Sequence, residues 1–233
     1  MLAAKTQTKN MKAIAIRAPS LAKLAATGAV LGPACDAIHN QLLLSYDVLP
    51  VDAFGAKTSL LIPPLLALTY ALLGGVFPVL ARDVVGNGGP LPYAEPLLAL
   101  PNLSCDEDRV ARALLAVLAT CAVIKLSAIC LEDDLSNALP LLAAAAFFEW
   151  LALDGKWTSL IVGAVVAVAG PAAEVPFMEL GCWHYLPAAA DYFPFHGALA
   201  DSPATGLSSL TGPCYFAVTQ DAIALGRWFD RNR

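Results

Sequence analysis

The residues able to do chemistry in this chain stand inside apolar sequence. Residues 32–41, GPACDAIHNQ, place Asp36 and His39 three apart, on one face of a helix. Asn40 and Gln41 carry that polar side toward the next turn. Lys125, Glu149, Glu174 and Asp221 each interrupt a further apolar run, with Glu179 near the end of one. Asp36 and His39 have the types needed for an acid–base pair, but partners for such a reaction are scarce. There are three histidines, and His184 and His196 fall in one loop. A zinc site needs three or four ligands in register, and no HExxH, GxSxG or phosphate-binding glycine loop is present. The six cysteines follow no CxxC or metal-ligand spacing. The expectation is a chain without a catalytic centre, a metal or a cofactor.

The elements that position these residues are membrane helices. Of 233 residues, 58% are hydrophobic and only 14% charged, well below the quarter charged that is usual for a soluble domain. Residues 58–81 contain no charge, and 138–148 and 157–173 are similar. Apolar runs of about 18 or more residues are candidate spans. Backbone groups in lipid must bond within their own segment, so these runs are helices. The reading is an all-α polytopic membrane protein with six transmembrane helices, near 22–45, 58–81, 109–131, 135–153, 157–180 and 206–226. Residues 1–21 form a basic tail that also has the composition of a transit peptide, 22–226 the membrane domain, and 227–233 a short basic end. Nothing in this composition suggests nucleic-acid binding.

Charge placement sets the orientation. With six spans, one side holds the basic tail, Arg82, Arg109, Lys156, Arg227, Arg231 and Arg233. The other has Lys57, the acidic turn Glu132–Asp134, and residues 183–205 without Lys or Arg. The positive-inside bias places both termini in the cytosol. Residues 83–108, with GNGGP, read as an irregular cytosolic connection, and the aromatics of 183–205 as a loop lying against the far membrane surface.

An ionisable residue at a helix centre costs about 2.5–3.5 kcal/mol to insert, so each should face protein, a cavity or a counter-charge. Prolines such as Pro33, Pro63, Pro64, Pro171 and Pro176 free backbone carbonyls of the kind that line cavities. The expectation is a polar-walled pocket lined by Asp36, His39, Gln41, Lys125, Glu149 and Glu174. The local alternatives are an intrahelical Asp36–His39 pair, a Lys125 that snorkels to the acidic turn, and a Glu149 that marks the membrane boundary. An echo links Gly32-Pro33-Ala34-Cys35-Asp36 to Gly170-Pro171-Ala172-Ala173-Glu174. It pairs the first span with the fifth, whereas a three-plus-three inverted repeat pairs the first with the fourth, so it reads as shared local chemistry.

Several stretches together resemble the insulin-induced-gene (Insig) family, including its plant, algal and bacterial relatives. They are LGPACDAIHNQ with SYDVLPV, KTSLLIPPLLALTYALLGGVFPVL, FFEWLALDGKWTSLIVG, VAGPAAEVPFMEL and PCYFAVTQDAIALGRWF. The resemblance implies a non-catalytic regulator of lipid, isoprenoid or sterol metabolism. It implies an endoplasmic-reticulum location, with a plastid membrane as the alternative, and a sterol or diacylglycerol-like lipid between the helices. It also implies a membrane-protein partner, engaged through the acidic residue that falls at Asp154, and leaves a homo-oligomer open. The animal family's Gly-Gly pair in the last span falls at Val218-Thr219 here, while Leu225-Gly226-Arg227 keeps the family's ending. The competing class is a small transporter or proton-coupled carrier that uses the intramembrane carboxylates.

Overall fold

The computed structural model describes residues 2–53, 56–85, 109–192 and 206–231. Helices occupy all six expected places. Helix α1 runs Leu2–Leu43 with Pro19 and Pro33 inside it. The second rod is α2 (Ile62–Ala71), a π-turn at Leu72–Val76 and α3 (Phe77–Val85). Then come α4 (Arg109–Glu132), α5 (Ala138–Leu153), α6 (Trp157–Glu179) and α7 (Thr211–Arg231). Most of the connection expected over 83–108 lies outside the described residues, as do Phe193, Phe195, His196 and Arg233.

Four of these segments are long and apolar enough to cross a membrane: Ala18–Leu43, Ile62–Ala81, Val110–Glu132 and Trp157–Glu179. Helix α5 has 16 residues, about 24 Å at 1.5 Å per residue, short of a hydrocarbon core of about 30 Å. Helix α7 is the polar one, and it sits in the middle. It packs against α1, α4, α5, α6 and the π-turn, and Thr219, Gln220 and Asp221 are buried on it. A helix enclosed by others meets protein rather than lipid, so it can carry polar groups where a lipid-facing helix cannot. The outer helices present the reverse pattern, with Val30, Leu68, Leu118, Phe148 and Val168 exposed.

Two short antiparallel ladders cap one end, an addition to the purely helical reading. Strand β1 (Leu44–Tyr46) pairs with β4 (Trp183–Tyr185), and β2 (Pro50–Ala53) pairs with β3 (Ala56–Ser59). These segments leave the helices at their polar and β-prone ends, SYDVLPV and WHY, where aromatic and β-branched side chains favour extended backbone. The loop around Trp183 and Tyr185 therefore folds inward instead of lying on the membrane surface. Both residues are buried, with Trp183 stacked on Phe177 at a centroid distance of 5.2 Å.

Candidate functional site

The β1–β4 ladder closes one end of a cavity of about 330 Å³ between α1, the second rod and α6. Its walls are apolar, from residues such as Ile62, Leu65, Leu73, Phe77, Val166 and Phe177. Its polar groups are few, and all are held by neighbours. Asp36 takes donors on Oδ2 from Asn40 and from Tyr46, the Tyr46 hydroxyl at 2.8 Å. That hydroxyl accepts from Asn40 Nδ2 at 2.7 Å. Burial, and next the Asp36 carboxyl, push the Tyr46 hydroxyl well above its ordinary pKa, so it stays a donor. Across the cavity Glu174 accepts from Tyr185 at 2.8 Å and from Tyr215 at 2.7 Å. The two GPA-x-acid segments thus place their carboxyls, Asp36 and Glu174, on one cavity from opposite helices. The sequence echo is shared chemistry at a single site.

A smaller chamber of about 90 Å³ continues from it, lined by Cys35, His39, Tyr70 and Cys214 as well as Asp36 and Glu174. Ser127 Oγ donates to the Ile124 carbonyl at 2.7 Å. Its one proton is thereby used, so His39 Nδ1, 2.9 Å away, must donate to it. The Nε2 side of the ring then faces Asp36 Oδ1, at 3.9 Å. This separation is too long for a direct hydrogen bond. In the same region Cys35 and Cys121 approach to 3.0 Å between sulfurs, joining α1 to α4. Mild oxidation of the protein in detergent should therefore link Cys35 to Cys121 ahead of any other pair. Peptide mapping without reductant checks this, and a dominant link through Cys130 or Cys182 would contradict the helix arrangement.

No protein-family model and no curated protein matches the chain. Two solved structures do. One is MvINS, a mycobacterial Insig homologue from Mycobacterium vanbaalenii, at 24% identity and a TM-score of 0.62, covering 90% of this chain and 93% of that one. The other is a cross-linked trimer of an MvINS variant, at 23% identity and a TM-score of 0.65, covering 93% and 97%. This chain has an Insig-like fold. It is a polytopic membrane protein, and the resemblance read from the sequence holds at the level of architecture over nearly the whole chain.

Within the Insig-like fold the expected site residues divide. Asp36, His39 and Glu174 meet at the cavity and its chamber. Gln41 points elsewhere: its amide bonds both the N–H and the carbonyl of Lys57, each at 2.9 Å, tying α1 to the β2–β3 hairpin. Lys125 lies on the exposed face of α4. Glu149 is buried on α5, where it accepts from Thr120 at 2.8 Å and borders an apolar groove between α4 and α5. The residues that sequence reasoning missed are the tyrosines: Tyr46, Tyr185 and Tyr215 hold the two cavity carboxyls. Tyr46 stands ten residues after Asp36 and Tyr185 eleven after Glu174, each on the short strand that follows its acid's helix.

Asp154 is the other departure. It is buried at the end of α5, where Gly155, at φ 58°, ends the helix by donating to the Trp150 carbonyl at 2.8 Å. Both Asp154 oxygens accept from Arg227 on α7, the second at 3.2 Å, and Ser159 on α6 also donates to it. A carboxylate taken by a guanidinium fork and a hydroxyl joins three helices of this chain. Asp154 is thus engaged by Arg227 and Ser159 of its own chain.

Proposed function

We propose that this chain is a non-catalytic membrane regulator, with six spans and cytosolic termini, that holds a membrane lipid in the cavity between α1, the second rod and α6. One observation carries the reading: an apolar-walled cavity is lined by Asp36 and Glu174, each fixed by tyrosine hydroxyls. Small-molecule sites have this form, with apolar walls and a few oriented polar groups, in cavities from about 300 Å³ upward. The occupant is a lipid with a compact polar head, of the sterol or diacylglycerol kind. The Insig-like architecture supports a regulatory role in the endoplasmic reticulum, or in a plastid membrane, exerted through another membrane protein. A homo-oligomer belongs to the same reading, since MvINS has been seen as a cross-linked trimer.

The test is mass spectrometry of lipid retained after gentle purification. Glu174→Ala and His39→Ala should each retain at least about tenfold less of the bound lipid than wild type, equivalent to about 1.4 kcal/mol of affinity. Gln41→Ala should retain as much as wild type. Equal retention in all four proteins would sink the assignment.

A further inference from the structure

The polar groups of the central cavity have spent their donors and kept acceptors. Both protons of the Asn40 amide nitrogen are in use, one on Asp36 and one on the Tyr46 hydroxyl. The Tyr46 proton goes to Asp36, and those of Tyr185 and Tyr215 go to Glu174. Trp183 turns its indole N–H to the same Glu174 carboxyl. Thr69 donates to the Leu65 carbonyl at 2.9 Å. Among the described residues of the lining there is no Lys, Arg or His.

The acceptors are in surplus. A carboxylate has about four lone-pair sites, and Asp36 takes both of its donors on Oδ2. Its Oδ1 is left over, because His39 Nε2 at 3.9 Å is beyond hydrogen-bond range. Neither acid is sealed off. The Asp36 side chain is 27% exposed, and Glu174 is partly exposed on the facing helix. The two carboxyls also lie within Coulomb range of each other across the cavity. We propose that the cavity selects a lipid whose head carries two or more hydrogen-bond donors, a long-chain diol or amino alcohol. This rests on the reading of the cavity as a lipid site and narrows its occupant.

The chemistry of the head follows from the surplus. A hydroxyl brings one donor and an ammonium three, so a head with several donors can serve both acids where a single hydroxyl serves one. An ester, an ether or an ionised phosphate brings only acceptors, and meets two acids with no spare donor beside them. A site that hydrogen-bonds a hydroxyl rejects the analogue lacking it, since its own polar groups are then left unpaired.

The experiment uses the full chain in detergent, with retained lipid counted by native mass spectrometry at matched mole fraction in the micelle. Two probes share one hexadecyl chain: 1-O-hexadecylglycerol, with two free hydroxyls, and its 2,3-di-O-methyl ether, with none. The third is sphinganine, with an ammonium and two hydroxyls. The diol should be retained at least about tenfold more than the dimethyl ether. Glu174→Gln, which puts an amide donor in place of an acceptor at nearly the same volume, should shrink that preference to about threefold or less. Sphinganine retained above the diol supports the proposal and assigns an ammonium to the site, and sphinganine level with or below the diol supports it with a neutral polyol. Equal retention of diol and dimethyl ether by wild type overturns the proposal whether or not the variant folds. If Glu174→Ala then removes both, the cavity still holds lipid and only the selection by donors has failed. If Glu174→Ala removes neither, the lipid reading falls as well. An undiminished preference for the diol in folded Glu174→Gln also overturns the proposal.

Discussion

Replacing Asp154 by alanine should lower stability by about 3 kcal/mol. Removing one member of a buried ion pair strands the other, and such losses run to about 3–5 kcal/mol. Asp154 has a side chain only 7% exposed, but that of Arg227 is 37% exposed, so water recovers part of the stranded charge and the lower end applies. Ser159 is left with the Lys156 carbonyl, at 3.0 Å, as its acceptor in the same change, and the end of α5 loses the Asp154 tie to α6 and α7. The measurement is a double-mutant cycle with Asp154→Ala and Arg227→Ala, read from denaturant or detergent unfolding. A coupling of about 2 kcal/mol or more is expected, because the two groups share one contact. Asp133→Ala, on the exposed acidic turn, should stay within about 0.5 kcal/mol of wild type. If Asp154→Ala melts like wild type, the buried pair is not what holds this end together. The result also bears on partners: a partner lost on Asp154→Ala would be lost along with the order of three helix ends, not with a single contact.

Gly226→Leu should cost at least as much. The last helix crosses the π-turn of the second rod at the closest backbone approach between the two. A Cβ at Gly226 would sit 3.0 Å from the Gly74 carbonyl carbon and nearer still to its oxygen, and a Cβ at Gly74 would strike the Ala222 carbonyl in the same way. Backbone on both sides cannot swing aside as a side chain would. The change must push α7 away from Leu24, Tyr70 and Leu73, which share its core. Overpacking costs about 1–3 kcal/mol in cores that can adjust, and this one has little room to adjust, so about 3 kcal/mol or a loss of folded protein is expected. Thermal melting of Gly226→Ala and Gly226→Leu should show a graded loss, with alanine the milder. Wild-type melting for both would mean that the helices do not touch here. This close glycine crossing lies about two turns after Val218-Thr219, with Gly74 as its other half.

The amino-acid sequence alone determined the class, the helices and one line of the site. Long uncharged runs have one solution in lipid, since every peptide group must bond within its own segment, and all six expected helices are present. The cost of burying ionisable groups marked Asp36, His39 and Glu174 as residues that face protein, and the repeated GPA-x-acid pattern hinted that the two carboxyls do the same work. What those groups meet was decided by tertiary structure. Tyr46 and Tyr185 turn back onto the acids of their own preceding helices from two short strands that pair with each other, and Tyr215 reaches Glu174 because α7 runs through the middle of the bundle. Gln41 turned to a hairpin and Lys125 to an exposed face, although both lie on helices that line or border the cavity. Asp154, which the family resemblance marked for a membrane-protein partner, is the centre of a three-helix tie. Burial cost is a property of one residue and its local run, so sequence carries it. A partner's identity depends on which distant segment arrives at hydrogen-bond distance, and the helix packing fixes that.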